Sequence, residues 1–169
     1  MEDVLSNHVL IKYLRAIFML GGCPGRNAYV KLSDLSKVLS LSLPTVSIMV
    51  RRLEDRGFVS VKPREGVLLT WKGLELLAEY CWKKSIVEVV LNKLGLPLGD
   101  VEKISDKVSH VVDRDSVVKM WDCLGRPKEC SHGYVILGEW NDKEKVIEWL
   151  RGCCKLHITR NNLEDYVKY

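Results

Sequence analysis

The stretch between Lys31 and Thr70 constrains this chain most: two short apolar-periodic segments, three or four residues apart, followed at once by two β-rich runs around a polar turn. Residues 31–39 read as a short helix, with Ser33 as its N-cap and Leu32, Leu35 and Val38 or Leu39 on its buried side. The connection Ser40-Leu41-Ser42-Leu43 leads to a second helix opening at Pro44. A proline costs nothing there, because its missing N–H would be unpaired in the first turn anyway. This helix is expected to end near Gly57. Two short helices so joined form a helix-turn-helix, whose second member can enter the major groove of DNA. Phe58-Val59-Ser60-Val61 and Val67-Leu68-Leu69-Thr70 then flank Lys62-Pro63-Arg64-Glu65-Gly66, which predicts a hairpin. Upstream, residues 4–20 carry an apolar stripe at helical spacing until Gly21-Gly22-Cys23-Pro24-Gly25 stops it. Three helices and a hairpin make a winged helix.

The rest of the chain reads as helical. From Thr70, an expected N-cap, a long helical pattern carries apolar residues at Leu74, Leu77, Cys81, Val87 and Val90 before stopping at Gly95. Asp100 is expected to cap a helix to about Val112, and Asp113 or Asp115 another reaching Trp121. Residues 134–137 suggest a strand, and residues 143–155 an amphipathic helix whose apolar side, with Trp140, Val146, Ile147, Trp149 and Leu150, must be buried, most simply on the helical domain before it or else on a partner protein. The expected class is mainly α with a small β wing. The expected domains are a winged helix-turn-helix over 1–72, a helical domain over 73–136 and a tail over 137–169. Charge divides the same way: residues 1–72 hold 11 basic and 6 acidic side chains, whereas 73–169 hold 15 and 16. The excess of the whole chain, +4, therefore lies with the winged helix.

No apolar run approaches the roughly 18 residues of a membrane-spanning helix, and the first residues lack the basic-then-apolar order of a secretory signal. A cytoplasmic protein with reduced cysteines and no membrane partner is expected. Cys130-x-His132 and Cys153-Cys154-x-x-His157 hold enough ligands for a structural zinc, but lack the paired C-x-x-C spacing that would make that reading strong. His132 is expected to cap or pack a turn. A cysteine–histidine nucleophile pair would need an oxyanion site and an orienting residue that nothing here supplies, so the chain is not read as an enzyme.

The order of elements and their residues resemble the diphtheria toxin repressor family, which includes the manganese transport regulators. The resemblance rests on Tyr13-Leu14-Arg15-Ala16-Ile17-Phe18 in the first helix, and on Pro44-Thr45-Val46-Ser47 with Val50, Leu53 and Gly57 in the recognition helix. It continues through Leu69-Thr70-Trp71-Lys72-Gly73, Leu94-Gly95-Leu96, His110-Val111-Val112 and Cys130-Ser131-His132-Gly133. The resemblance covers residues 8–136. It implies a homodimeric, metal-activated transcriptional repressor, with a dimerisation domain after the winged helix and double-stranded DNA, as a palindromic operator, for its target. Manganese, iron or cobalt would be the activating metal by resemblance.

Carried over position by position, the resemblance assigns ligand places to Lys12, Arg15, Lys84, Glu88, Asp106, Ser109 and His110, with Glu102 near an accessory position. Four of these residues depart from the family's carboxylate, sulfur or imidazole: Lys12, Arg15, Lys84 and Ser109. Protonated lysine and arginine have no lone pair for a divalent metal and repel it. Glu102, Asp106 and His110 are spaced i, i+4, i+8 on one helical face, and Glu88 follows Lys84 by one turn. The expectation is that Lys12, Arg15 and Lys84 meet Glu88, Asp106 and Glu102 in an ion-pair network that replaces the metal, so that no cofactor is needed. Two alternatives stand beside it: solvated helix-surface charges that happen to align, and a surviving metal site of Glu88, Asp106 and His110 with waters.

For DNA, Pro44 begins the reading helix; Thr45 and Ser47 can hydrogen-bond phosphates or bases, and Ile48 can pack on a thymine methyl. Arg51 and Arg52, further along, and Lys62 and Arg64 in the wing suit phosphate contact. Winged helices also serve as protein-interaction modules, which is the competing reading.

Overall fold

A computed structural model of the chain describes residues 7–25, 28–138 and 140–159, with side chains described through residue 153. The elements run α1 (Asn7–Met19), α2 (Leu32–Leu39), α3 (Leu43–Asp55), β1 (Val59–Lys62), β2 (Gly66–Leu69), α4 (Trp71–Lys93), α5 (Leu98–Val111), α6 (Arg114–Cys123) and α7 (Lys143–Thr159). They fall into two compact units, one running to Leu77 and the other covering Ala78–Leu156.

The first unit is a winged helix. Leu35 and Leu39 of α2, Val46, Val50 and Leu53 of α3, and Leu14 and Ile17 of α1 are buried, and α2 packs on α3 and α1. The turn between α2 and α3 closes on itself: Ser40 adopts a left-handed φ of 52°, its N–H and that of Leu41 return to the Lys37 and Ser36 carbonyls, and the Ser36 hydroxyl donates to the Leu41 carbonyl. These bonds satisfy carbonyls that a helix end leaves open. Ser42 caps α3, accepting from the Thr45 N–H at 3.3 Å, with Pro44 in the first turn. The helix therefore opens at Leu43, one residue before the expected Pro44. Nor does Ser33 cap α2: Lys31 holds that place without a side-chain bond, and Ser33 lies within the helix.

The wing is an antiparallel pair with Val59 opposite Leu69 and Lys62 opposite Gly66. Val30 adds a single bridge, exchanging both backbone hydrogen bonds with Val67 at 2.8 and 2.9 Å. Gly66 has φ +130° and its backbone passes so close to the Val30 carbonyl that any Cβ there would overlap it. Thr70 closes the wing, its hydroxyl donating to the Gly57 carbonyl at 2.7 Å while accepting from the Gly73 N–H.

The second unit is built on the remainder of α4, which is buried on nearly all sides: Cys81, Trp82, Lys84, Ser85, Ile86, Val87 and Glu88 are all inaccessible. The Lys83 ammonium donates to the Val112 carbonyl at the end of α5, and Asp113 caps α6 by accepting from the Ser116 N–H at 2.8 Å. Of the two carboxylates expected there, Asp113 is the cap and Asp115 lies in the first turn. Asp100 likewise lies inside α5, which begins after Pro97.

Residues 134–137 form no strand. Val135 makes one isolated bridge to Glu129, and this short return offers no neighbouring strand along which a ladder could grow. The segment instead carries α7: the Tyr134 hydroxyl donates to the Trp149 carbonyl at 2.9 Å, and the Trp149 indole N–H to the Val135 carbonyl at 2.7 Å. Val146, Trp149, Leu150 and Cys153 form the buried stripe of α7, and the Trp140 and Trp149 rings meet at 6.3 Å. Arg114 lays its guanidinium over Trp82 at 5.2 Å and Trp140 at 5.4 Å.

Candidate functional site

In the first unit, the outer face of α3 and the wing tip are the chemically loaded surface. Val46, Val50 and Leu53 turn inward, which leaves Pro44, Thr45, Ile48, Arg51 and Arg52 exposed on the opposite side and Ser47 half-buried between the two. A cleft of about 310 Å³ runs between α3 and the wing, lined among others by Lys31, Ser47, Arg51, Lys62, Arg64 and Glu65. Arg64 holds φ +66° at the hairpin turn. The Lys62 ammonium pairs with Glu65 at 2.8 Å, a hydrogen bond and charge that hold its pKa above the usual lysine value. All eight residues expected to face DNA therefore belong to one unit, and four of them, Ser47, Arg51, Lys62 and Arg64, line the cleft.

In the second unit a cluster of charged groups surrounds Lys84, whose side chain is 3% exposed. Its ammonium lies 4.0 Å from Glu88 Oε1 and 3.8 Å from Asp106 Oδ1. Asp106 also accepts the Tyr80 hydroxyl hydrogen bond, and the Tyr80 ring stacks on His110 with centroids 4.7 Å apart. On the other side of Glu88 stands His132: Nδ1 is 3.2 Å from Glu88 Oε2, and Nε2 is 3.0 Å from Glu102 Oε1. Burial holds the Glu88 carboxyl above the usual carboxylate range, opposed by the Lys84 ammonium and by the hydrogen bond with His132. Burial likewise pushes the Cys130 thiol up.

The structure thus brings Lys84, Glu88, Glu102, Asp106 and His110 into one unit, and adds His132, Tyr80 and Cys130. Lys12 and Arg15 stand half-buried on α1 of the other unit. His132 does more than pack a turn, because both of its ring nitrogens face carboxylates from α4 and α5. The Cys130-x-His132 spacing was the only sequence sign of this. Ser109 turns its hydroxyl inward, donating to the Ser105 carbonyl at 2.6 Å.

Two metal sites can be tested against these contacts. Glu88 and Asp106 together do not fit a metal, since the Lys84 ammonium lies 4.0 and 3.8 Å from the two carboxylates and would repel a divalent ion, although Asp106 and His110 each still offer a ligand atom. Around Glu88, Cys130 and His132 they do fit: each offers one ligand atom, and the three atoms lie within 4.8 Å of one another. Of the residues in the zinc reading of Cys153, Cys154 and His157, the side chains of Cys154 and His157 lie outside the described residues.

Comparison with known proteins agrees with both units. The family model "Iron dependent repressor, N-terminal DNA binding domain" matches residues 9–67, and "Iron dependent repressor, metal binding and dimerisation domain" matches 70–138. An uncharacterized HTH-type transcriptional regulator of Aeropyrum pernix is 32% identical over 149 residues, covering 88% of this chain and 82% of that protein. The chain belongs to the iron-dependent repressor family of transcriptional regulators. The transcriptional regulator MntR of Salmonella typhimurium is 32% identical over 84 residues, half of this chain and 54% of that one. Among solved structures, a hypothetical protein of Sulfolobus solfataricus shares the fold with a TM-score of 0.68 at 23% identity, covering 75% of this chain and 95% of the other. The manganese regulator SloR superposes with a TM-score of 0.58 at 28% identity, over 75% of this chain and 58% of its own. No described helix of the chain is long and apolar enough to cross a membrane.

Proposed function

We propose that this family member is a DNA-binding transcriptional repressor, acting as a homodimer on a palindromic operator, in which a lysine ammonium stands where the family uses a metal ion. The observation that carries the second part is the position of Lys84, almost inaccessible and within 4.0 Å of both Glu88 and Asp106. A fixed internal cation holds these two carboxylates without depending on metal supply. Lys12 and Arg15 place two more cations at positions the resemblance assigns to ligands. DNA binding is supported by the cations around the α3 and wing cleft, and by the basic excess of the same 72 residues.

Arg51 and Arg52, like Lys62 and Arg64, are suited to phosphates rather than base edges. A duplex titration at several salt concentrations tests this. Affinity should fall steeply as salt rises, and Arg51→Ala should weaken binding to all sequences and reduce the slope of log K against log salt by about one. A chain that binds no duplex at any salt would instead be a protein-interaction module.

A second reading has its own observation in Glu88, Cys130 and His132. A metal held there, with Glu102 beside it, would displace protons from the thiol and the imidazole, so its affinity would rise with pH. The same residues can hold a proton in its place, with His132 bridging two carboxylates. Elemental analysis of the purified protein and of Cys130→Ala separates the two: a stoichiometric metal lost in the variant supports this second site.

A further inference from the structure

We infer that Ile48 is the principal base reader of α3, and that it recognises the 5-methyl group of thymine. This rests on the DNA-binding reading above and adds the chemistry of its specificity. The first two turns of a recognition helix are the part that reaches base edges in a helix-turn-helix. In this chain those turns, residues 43–50, hold no arginine, lysine, asparagine, glutamine, aspartate or glutamate. The side chains that distinguish guanine, adenine or cytosine by strong hydrogen bonds are therefore missing from the reading segment.

The two hydroxyls in that segment are poorly placed to substitute for them. Thr45 Oγ1 lies 2.7 Å from Ser42 Oγ, the atom that caps the helix, so the pair is engaged with each other and with the backbone. Ser47 is half-buried in the cleft toward the wing. Of the large apolar side chains in the segment Ile48 is the most exposed, 56% against 49% for Leu43 in the opening turn, and it stands at the middle of the outer face. Thr45 lies one turn before it, and Arg51 and Arg52 lie one turn after it.

An isoleucine in that position is costly to leave in water, and the cations around it would bring it against the duplex. The only apolar group on the major-groove edges of the base pairs is the thymine methyl. Charge complementarity thus selects the partner, and the apolar tip selects the base.

The experiment removes only the methyl. The full-length chain is used to select bound duplexes from a random-sequence library, and each thymidine of the most enriched duplex is replaced in turn by deoxyuridine. Dissociation constants follow by fluorescence anisotropy for the wild type, Ile48→Ala and Ile48→Val. One or two positions should show wild-type binding weakened by about fourfold on loss of the methyl, the value of one buried carbon. Ile48→Ala should bind the thymidine duplex more weakly and be indifferent to the same replacement, while Ile48→Val keeps most of the discrimination. Enriched duplexes that bind the wild type equally with and without every methyl would overturn this inference and leave DNA binding standing. Binding without any enriched sequence would overturn it as well, and no binding to any duplex would overturn the underlying reading.

Discussion

Lys84 is the buried cation of the second unit. An ammonium with a 3% exposed side chain has lost nearly all of its hydration, and among the described residues the carboxylates of Glu88 and Asp106 offset that loss. Removing one member of such a buried group leaves the other charge stranded. Lys84→Met is expected to lower the unfolding free energy by about 3 kcal/mol, read from urea denaturation, with Lys84→Met/Glu88→Gln costing less than the sum of its single variants. Equal, additive losses would show that the two side chains do not act together. The identity of this cluster was partly legible in the sequence. Lys84 and Glu88 are one turn apart, and a lysine at a ligand position is chemically conspicuous. The part played by His132 was not, because its two partners lie 44 and 30 residues away and no local pattern encodes such a meeting.

At the scale of elements, the winged helix was readable because its signals are local: a proline in the first turn of α3, a glycine in the wing, and β-rich runs on either side of it. Helix starts were less so. Serine and aspartate are good caps wherever they occur, and Ser33 and Asp100 compete with Lys31 and Pro97, which precede them in the chain and take the capping place. Asp113 is a cap in fact, and hydrogen bonds from the Ser116 N–H and hydroxyl hold its pKa below the ordinary value of 3.8. A folded-state pKa below the unfolded one gives stability that is complete above the unfolded value and lost as pH falls through the folded one. Asp113→Ala should therefore lower Tm by a few degrees at neutral pH, and the difference should vanish as the pH drops below the aspartate range. α7 is held by a closer fit. The Tyr134 ring lies where a Cβ on Gly152 would stand, so the glycine is what lets this helix approach. Gly152→Ala is expected to cost about 1–3 kcal/mol through overpacking, despite the better helix propensity of alanine. A stabilised variant would place the ring elsewhere.

For the whole molecule, net charge conceals the organisation and its distribution reveals it. The +4 of the chain divides into a basic stretch over residues 1–72 and a nearly neutral remainder, and the first family model, over 9–67, falls within the basic part. The family itself was legible from the order of short motifs along the chain. The way α4 buries Lys84, Ser85 and Glu88 was not, since helical periodicity reports one face while a central helix is covered on all sides. We propose that a lysine ammonium takes the place of a metal in this repressor. Duplex affinity measured on the purified chain before and after treatment with a strong chelator tests it most directly. The account predicts the same Kd in both, and no tightening on addition of manganese, iron or cobalt. Binding that disappears with the chelator and returns with one of those metals would contradict it.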